Sequence, residues 1–264
     1  MEITTKNRLE EIKKNGYRLD FSEMISRCIE NYKKIVWING AAILLLSLIL
    51  FALSVAMSSI VFGVEYVLSP LSKTQLSQYS VVTIITTVVV GVLFAAIIIP
   101  FYAGLLKVSH QAENNQPFDF NTVFYFYKSS FVKDLIVAGV IVSLVSSFCS
   151  TLLNYSGYFI WGQVVTYFIQ FITLFFITFI IFGKMTAIEA IEASLIMVFR
   201  NFFVVLGLML VAFVVGLLGI LAVCIGIFFT LPIIFSMQYV IYDEVIGTNF
   251  RLEIEDIGSE STEF

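Results

Sequence analysis

The chain has 264 residues, of which 59% are hydrophobic and 13% are charged, and its mean hydropathy is +0.96. These values lie far outside the composition of soluble globular domains and exclude that class of protein. The formal net charge is −4, and no nucleic-acid partner is expected.

Six long apolar runs without charged residues dominate the sequence. About 20 helical residues cross the roughly 30 Å hydrocarbon core of a bilayer, so each run can form a membrane span. The runs cover residues 35–61, 81–106, 135–153, 163–182, 202–218 and 223–242. We therefore predict an all-α fold, a polytopic transmembrane helical bundle whose six spans form three hairpins. The spans lie in a single integral membrane domain at 20–242, between a polar N-terminal segment at 1–19 and an acidic cytosolic tail at 243–264.

The positions of the basic residues predict the orientation of this bundle. With the N-terminus in the cytosol, fourteen of the fifteen Lys and Arg residues lie on the cytosolic side, and Lys73 is the exception. The positive-inside rule therefore predicts a multi-pass protein of the cell inner (plasma) membrane with both termini in the cytoplasm. No short apolar segment with a cleavage site precedes the first run, so no removable signal peptide is predicted.

The run from 202 to 242 contains no charged residue and no polar loop. One helix over its 41 residues would measure roughly 60 Å, about twice the thickness of the hydrocarbon core. Gly216 and Gly219 weaken a helix and permit a tight reversal, so we predict a turn at 219–222. Without that turn, the C-terminus would lie on the other side of the membrane.

An amphipathic segment precedes each predicted hairpin. Helix-capping residues stand at the three starts: Asp20 with Glu23, Asp119 or Asn121, and Thr186 with Glu189. Apolar residues follow at helical spacing: Phe21, Met24, Ile25, Cys28, Ile29 and Tyr32; Phe120, Val123, Phe124, Tyr127 and Phe131; and Ile188, Ile191, Leu195 and Phe199. We predict three cytosolic-side interfacial helices, which are typical of simple anchoring to the bilayer. Recognition of anionic lipid or of a partner protein is the alternative.

A polar stripe runs along the third span and meets a matching stripe on the fourth. The stripes are Gly139, Ser143, Ser147 and Thr151, and Gln163, Thr166, Gln170 and Thr173. Small and polar residues at three- and four-residue steps let helices approach closely and form hydrogen bonds, so a packing seam is predicted. A polar pathway for a small solute is the alternative, although no span contains the ionisable groups that mark ion or proton routes.

Two prolines lie inside predicted spans. Pro100 falls in the second span and Pro232 in the sixth. Each removes one helical hydrogen bond, so a kink is predicted at both positions.

The sequence lacks the residue sets that catalysis requires. His110 is the single histidine, and Cys28, Cys149 and Cys224 are scattered without metal-ligand or CxxC spacing. No phosphate-binding loop, GxSxG motif or dinucleotide fingerprint is present. The protein is therefore predicted to be no enzyme and to hold no cofactor or metal.

Two segments near the C-terminus carry a family resemblance. They are AIEASLIMVFRNFFVVLGLML, with Ala190, Ala193, Ser194 and Asn201, and TLPIIFSMQYVIYDE, with Pro232, Tyr242 and Asp243. About 60 residues here resemble the bacterial YciC-like six-helix inner-membrane families and the membrane domain fused to some glycerophosphodiester phosphodiesterases. The resemblance implies a six-helix fold and an inner-membrane location, with small residues for packing and Pro232 for a bend. It implies no phosphodiesterase activity.

Together these features predict a non-enzymatic integral inner-membrane protein with an accessory or membrane-organising role. The alternative is a transporter or channel for a small or amphipathic solute. The expected partners are the lipid bilayer and either another membrane protein or a second copy in a homo-oligomer.

Overall fold

The computed structural model describes residues 2–62, 81–221 and 226–247. Every regular element in these ranges is helical, which confirms the all-α prediction. The α-helices are α1 (Glu2–Asn15), α2 (Phe21–Phe62), α3 (Val81–Glu113), α4 (Val132–Tyr155), α5 (Phe159–Ile172), α6 (Phe176–Ile181), α7 (Ala187–Arg200), α8 (Phe202–Leu218), α9 (Gly226–Thr230) and α10 (Pro232–Tyr242). Two 3₁₀ helices at Phe120–Lys128 and Gly219–Leu221 and a π-turn at Asp243–Gly247 complete the described elements.

Five segments of the described chain are long and apolar enough to cross a membrane, and they are compatible with a multi-pass membrane protein. They are Phe21–Ala56, Val132–Tyr155, Phe159–Ile181, Phe202–Leu221 and Gly226–Gly247. The predicted second span at 81–106 falls within α3, but the side chains of residues 57–95 lie outside the described part of the chain. Lys73, Cys224 and the acidic tail beyond Gly247 also lie outside it.

The first amphipathic segment is not a separate interfacial helix, because α2 runs without interruption for 42 residues from Phe21 to Phe62. At about 1.5 Å per residue this helix measures roughly 63 Å, about twice the hydrocarbon core. The buried face of α2 repeats every three or four residues and includes Met24, Cys28, Asn31 and Ile35. Phe21 and Ile29, which the sequence placed on the apolar face of a surface helix, are more than 40% exposed. The segment is therefore an extension of the first span, oriented by its contacts with other helices.

Helix α10 forms the centre of the bundle. It packs against α2, α3 and α8, and every residue from Ser236 to Asp243 is buried. A helix that is buried on all sides belongs to the core of a bundle, so its polar side chains must find partners within the protein. Two of them do so through backbone carbonyls: Ser236 Oγ donates to Cys28 O at 2.8 Å, and Gln238 Nε2 donates to Leu174 O at 2.8 Å.

The predicted fourth span at 163–182 is not one regular helix, because α5 ends at Ile172 and α6 begins at Phe176. The amide of Phe175 donates to Ser194 Oγ at 3.0 Å, and the same hydroxyl donates to Ile172 O at 3.0 Å. Buried backbone groups released by a break in a helix need such partners. Hydrogen bonds from α7 and α10 therefore stabilise an interruption that hydropathy does not reveal.

The two prolines occupy different positions. Pro100 lies inside α3, which continues through it. Pro232 is the first residue of α10, which follows a turn at Leu231. Proline fits the first position of a helix because its missing N–H has no intrahelical acceptor there.

The N-terminal segment forms helix α1 and docks on α7. Lys6 Nζ lies 2.9 Å from Glu189 Oε1, and Lys13 Nζ lies 3.1 Å from Glu192 Oε1. Ile12 of the same helix is fully buried. Lys6 and the amide and hydroxyl of Thr186 hold the pKa of the Glu189 carboxyl below its usual value. The basic residues of the N-terminus thus serve partly to fix α1 against the rest of the protein.

The predicted cap residues Asp20, Asp119 and Thr186 form capping hydrogen bonds. Asp20 Oδ1 accepts hydrogen bonds from the amides of Ser22 and Glu23. Asp119, and not Asn121, caps the second segment. Thr186 and Glu189 form a capping box at the start of α7. These contacts are local and satisfy the first free N–H groups of each helix.

The second and third amphipathic segments bury faces that differ from the predicted apolar stripes. The second segment is a 3₁₀ helix with three residues per turn, and it buries Val123 and Phe126. Helix α7 buries a face of small residues that includes Ala190 and Ser194. Its larger apolar residue Ile188 is 71% exposed. Close packing against neighbouring helices selects the small-residue face.

Helices α8 and α9 lie side by side. Thr230 Oγ1 donates to Gly216 O, and a Cβ on Gly219 would lie 2.1 Å from Thr230 Oγ1 and 2.6 Å from Gly226 O. A side chain larger than hydrogen at position 219 does not fit this close approach. The predicted turn at 219–222 begins in the 3₁₀ helix Gly219–Leu221, and residues 222–225 lie outside the described chain.

Candidate functional site

Two polar sites stand out in the otherwise apolar bundle: a groove between two apolar helices and a cluster at the charged end. We define the polar groove as the depression between α4 and α5, with a volume of about 290 Å³. It is lined by Val142, Ser143, Ser146, Ser147, Ser150, Gln163, Thr166 and Gln170. The short connection between Tyr155 and Phe159 places α4 and α5 next to each other, so their polar faces meet.

The groove contains most of the predicted polar stripe. Ser143, Ser147, Thr166 and Gln170 line it, together with Gln163. The remaining stripe residues lie elsewhere. Thr151 is exposed outside the groove, and Thr173 is buried at the end of α5, where its hydroxyl donates to Ile169 O at 2.7 Å. Gly139 packs on α3, since a Cβ there would lie 2.0 Å from Ile99 Cδ1.

The polar groups of the groove are incompletely satisfied by the described chain. Ser146 is 5% exposed, and its Oγ has no hydrogen-bond partner among the described residues. The side chains of Ser143, Ser147, Gln163 and Gln170 are exposed and form no side-chain hydrogen bond within the described ranges. By contrast, Thr166 Oγ1 donates to Gly162 O at 3.0 Å. The groove therefore presents uncharged hydrogen-bond donors and acceptors to the neighbours of α4 and α5.

The second polar site is the Arg27 cluster, which consists of Arg27, Glu113, Asp243 and Glu244. Arg27 Nη2 lies 2.6 Å from Asp243 Oδ2 and 2.9 Å from Glu113 Oε1, and Nη1 lies 2.8 Å from Glu244 Oε2. One guanidinium thus joins α2, the end of α3 and the π-turn after α10. Its planar set of N–H donors is suited to several carboxylates at once.

A chain of buried polar groups extends from the cluster. Asn31 Nδ2 donates to Glu113 Oε2 at 2.9 Å and to Ser109 O at 2.8 Å. Tyr239 Oη donates to Asp243 Oδ1 at 3.2 Å and lies 2.9 Å from His110 Nδ1. Burial lowers the pKa of His110, an effect that Asp243 partly opposes and Lys107 reinforces. Burial of the ring therefore favours the neutral form of this imidazole.

A cleft of about 490 Å³ adjoins the cluster. It is lined by Glu23, Arg27, Glu113, Asn114, Asn115, Gln116 and Glu244. Within the described ranges, no group of three His, Cys, Asp or Glu side chains is arranged to hold a metal ion. Since Arg27 donates to all three carboxylates of the cluster, the geometry is that of a structural clamp between three helices.

Sequence reasoning did not find the Arg27 cluster. Arg27 lies beside the buried positions Met24 and Cys28, and Asp243 is the first charged residue after the sixth apolar run. A basic residue flanking an apolar stripe and an acid at the end of a span are weak signals, because both are common where helices leave a membrane. Their pairing depends on the packing of α2 against α10.

No protein-family model, curated protein or solved structure is significantly similar to this chain. The resemblance to the YciC-like families therefore stays a prediction. What the chain does must be inferred from the contacts of its own residues.

Proposed function

We propose that the chain is a non-enzymatic, multi-pass protein of the inner membrane with an accessory or membrane-organising role. The observation that carries this proposal is the polar groove on the outer side of the α4–α5 pair. It offers exposed hydroxyls and carboxamides at positions where a bilayer offers no hydrogen-bond partner. Such a surface is suited to contact with another membrane component, whereas the charged residues of the Arg27 cluster hold helices of the bundle together.

The proposed architecture has six spans as three hairpins, with both termini in the cytosol. The second span at 81–106 lies within helix α3, which has 33 residues and a length of roughly 50 Å, more than the hydrocarbon core requires. The contact of Gly216 with Thr230 supports a reversal between the fifth and sixth spans. The distribution of Lys and Arg supports the orientation, because fourteen of fifteen then lie on the cytosolic side.

Contact with the bilayer surface is a second part of the proposal. Ile188 and Phe199 on α7 are 71% and 54% exposed, although both are large and apolar. The Lys107 ammonium of α3 lies over the ring of Tyr125, a half-exposed residue of the 3₁₀ helix Phe120–Lys128. Exposed apolar side chains next to basic and aromatic groups are typical of segments that lie at the membrane interface.

We also propose membership of the YciC-like six-helix families. The supporting contacts involve residues that carry the resemblance. Ser194 satisfies the break between α5 and α6, Asn201 Nδ2 donates to Tyr17 O at 3.4 Å, and Pro232 begins the central helix. Each of these roles is architectural, so membership would add a fold and a location to the proposal but no chemistry.

Transport of a small neutral solute is the second candidate function. One observation favours it. Helix α5 forms one wall of the polar groove, and the break at 173–175 follows directly after this helix. Interrupted helices can form solute sites in transporters. The accessory role is the better supported, since the polar atoms at the break are already satisfied by Ser194 and Gln238.

Reporter fusions test the topology. A compartment-sensitive reporter is placed after Ser80, Asn114, Gly162 or Phe264 in otherwise intact chains. We expect cytosolic signals after Asn114 and Phe264 and extracytoplasmic signals after Ser80 and Gly162. An extracytoplasmic signal after Phe264 would refute the six-span arrangement.

Purification from native membranes, followed by identification of bound lipids and proteins, tests the role. We expect a specific membrane-protein assembly that survives washing and contains this chain. In parallel, reconstituted vesicles are assayed for uptake of neutral polyols. Uptake above that of empty vesicles would contradict the accessory role and support transport.

A further inference from the structure

We infer that a second copy of this chain packs against the polar groove, so that the protein is a homodimer joined through α4 and α5. This inference rests on the proposed membrane-organising function and names its partner. It concerns the face that carries Ser143, Ser147, Gln163 and Gln170.

The α4–α5 pair is peripheral in the single chain. Helix α5 packs mainly on α4 and, at one end, on α7, whereas the central helix α10 contacts α2, α3 and α8. The polar face of the pair is consequently directed away from the core. Gln163 and Gln170 are exposed there, and the buried hydroxyl of Ser146 reaches the groove without a partner among the described residues.

A lipid tail is an unfavourable neighbour for this face. Hydrocarbon provides neither donors nor acceptors, so an exposed carboxamide in a span leaves its hydrogen-bonding capacity unused. Ser, Thr and Gln side chains in membranes usually form hydrogen bonds across helix interfaces. The groove therefore requires a polar occupant that is itself part of a membrane-spanning structure.

The chemistry of the groove favours an identical face as that occupant. Two copies inserted in the same orientation are related by an axis along the membrane normal, so each residue meets residues at its own depth. A carboxamide both donates and accepts, and so does a hydroxyl. Gln170 and Ser143 in one copy can thus pair with the same types in the other. The groove carries no charge, so identical faces do not repel each other.

The length of the contact is adequate for helix pairing. From Ser143 to Ser150 the groove follows α4 for two turns, roughly 10 Å, and the small serine side chains allow backbones to approach closely. Large residues lie on the other side of the same helix, where Phe148 is 66% exposed. The close contact is therefore expected on the serine face and not on the phenylalanine face.

Association in lipid tests the inference directly. Labelled full-length chains are reconstituted at decreasing protein-to-lipid ratios, and the dimer fraction is measured by energy transfer. For the double variant Gln163→Leu/Gln170→Leu we expect a dimer dissociation constant raised about tenfold or more. The control Phe148→Leu, on the opposite face of α4, should associate like the wild type. Equal association of the wild type and the double variant would overturn the inference.

Disulfide trapping provides a second test that does not depend on affinity. In a Cys149→Ala background, Ser147→Cys should give cross-linked dimers in native membranes under mild oxidation, and Phe148→Cys should not. Trapping at Phe148→Cys alone would overturn the proposed face. Retention of a folded bundle is checked by the thermal unfolding of each variant.

The outcomes separate this inference from the proposed function. Suppose that the wild type is monomeric but co-purifies with another membrane protein, and that Gln163→Leu/Gln170→Leu abolishes this association. That result would refute the homodimer but keep the accessory role. A dimer that also moves neutral polyols across vesicles would keep the homodimer and refute the accessory role. A monomer that takes up such solutes would refute both.

Discussion

Arg27 on α2 and Asp243 directly after α10 are separated by 216 residues and joined by a 2.6 Å contact. Asp243 is almost fully buried, and the Arg27 side chain is 17% exposed. Because Glu113 binds the same guanidinium, this contact connects α2, α3 and α10 at one point. Arg27 therefore joins three helical elements at the charged end of the bundle.

Removal of Arg27 is expected to destabilise the protein strongly. In Arg27→Met, Asp243 and Glu113 remain without their cationic partner, and breaking a buried ion pair in this way costs about 3 kcal/mol or more. The measurement is the free energy of unfolding in detergent micelles. The matched control is Lys13→Met, which removes an exposed pair with Glu192 and should cost less than about 1 kcal/mol.

The double variant Arg27→Met/Asp243→Asn distinguishes a clamp from simple loss of packing. It removes the buried negative charge that Arg27→Met leaves behind, so it should be more stable than the single Arg27 variant. Equal destabilisation of the two variants would contradict the clamp.

The hydroxyl of Ser194 is expected to be required for the break in the fourth span. Ser194→Ala leaves the amide of Phe175 and the carbonyl of Ile172 without this partner, at a cost of about 1–3 kcal/mol. In Ser47→Ala, the hydroxyl that is removed bonds only within its own helix to Leu44 O, so the effect should be small. Thermal unfolding of both variants checks the prediction, and equal shifts in melting temperature would contradict it.

Gly104 is expected to be intolerant of any side chain. A Cβ there would lie 1.7 Å from the carbonyl oxygen of Val123, so the 3₁₀ helix Phe120–Lys128 would have to move away from α3. Such overpacking costs about 3 kcal/mol or more when backbone must shift. In Gly207→Ala the new methyl meets only the ring of Phe21, at 3.3 Å, and the change should be neutral or slightly stabilising. Chemical unfolding of the two variants is the measurement.

Acid is expected to weaken the protein through His110. Burial lowers the pKa of His110 in the folded protein below its ordinary value of about 6.5, so the unfolded chain binds the proton more readily. The contribution of the neutral His110 to the free energy of unfolding is therefore fully present above about pH 6.5. It is lost as the pH falls through the pKa that His110 has in the folded protein. The groups around the ring are Tyr239, Asp243, Asn114, Lys107 and Phe182.

The test compares unfolding of the wild type and of His110→Gln between pH 7 and pH 5. Titration of carboxylates contributes to both proteins, and His110 is the single histidine of the chain. The wild type should lose more stability than the variant over this interval. Parallel profiles would show that His110 does not contribute.

Features that depend on near neighbours along the chain could be predicted from the sequence. Hydropathy predicted an all-helical chain with long apolar helices, and side chains at helix starts indicated caps at Asp119 or Asn121 and at Thr186. A common polar groove for Ser143 and Gln170 was also to be expected, because a short connection places α4 beside α5. Transfer free energies and capping hydrogen bonds act over a few residues, so a sequence pattern is sufficient to reveal them.

Contacts between distant segments could be found only in the folded bundle. Three such contacts depend on how the helices rotate and pack. They are the ion pair of Arg27 with Asp243, the docking of α1 on α7, and the hydrogen bond between the Phe175 amide and Ser194 at the break in the fourth span. Apolar periodicity did not predict the buried face of α7, since close packing favoured Ala190 and Ser194 over Ile188. Ion pairs and helix contacts join residues that are far apart in the sequence. They are therefore determined by the spatial arrangement of the whole bundle and not by a local pattern.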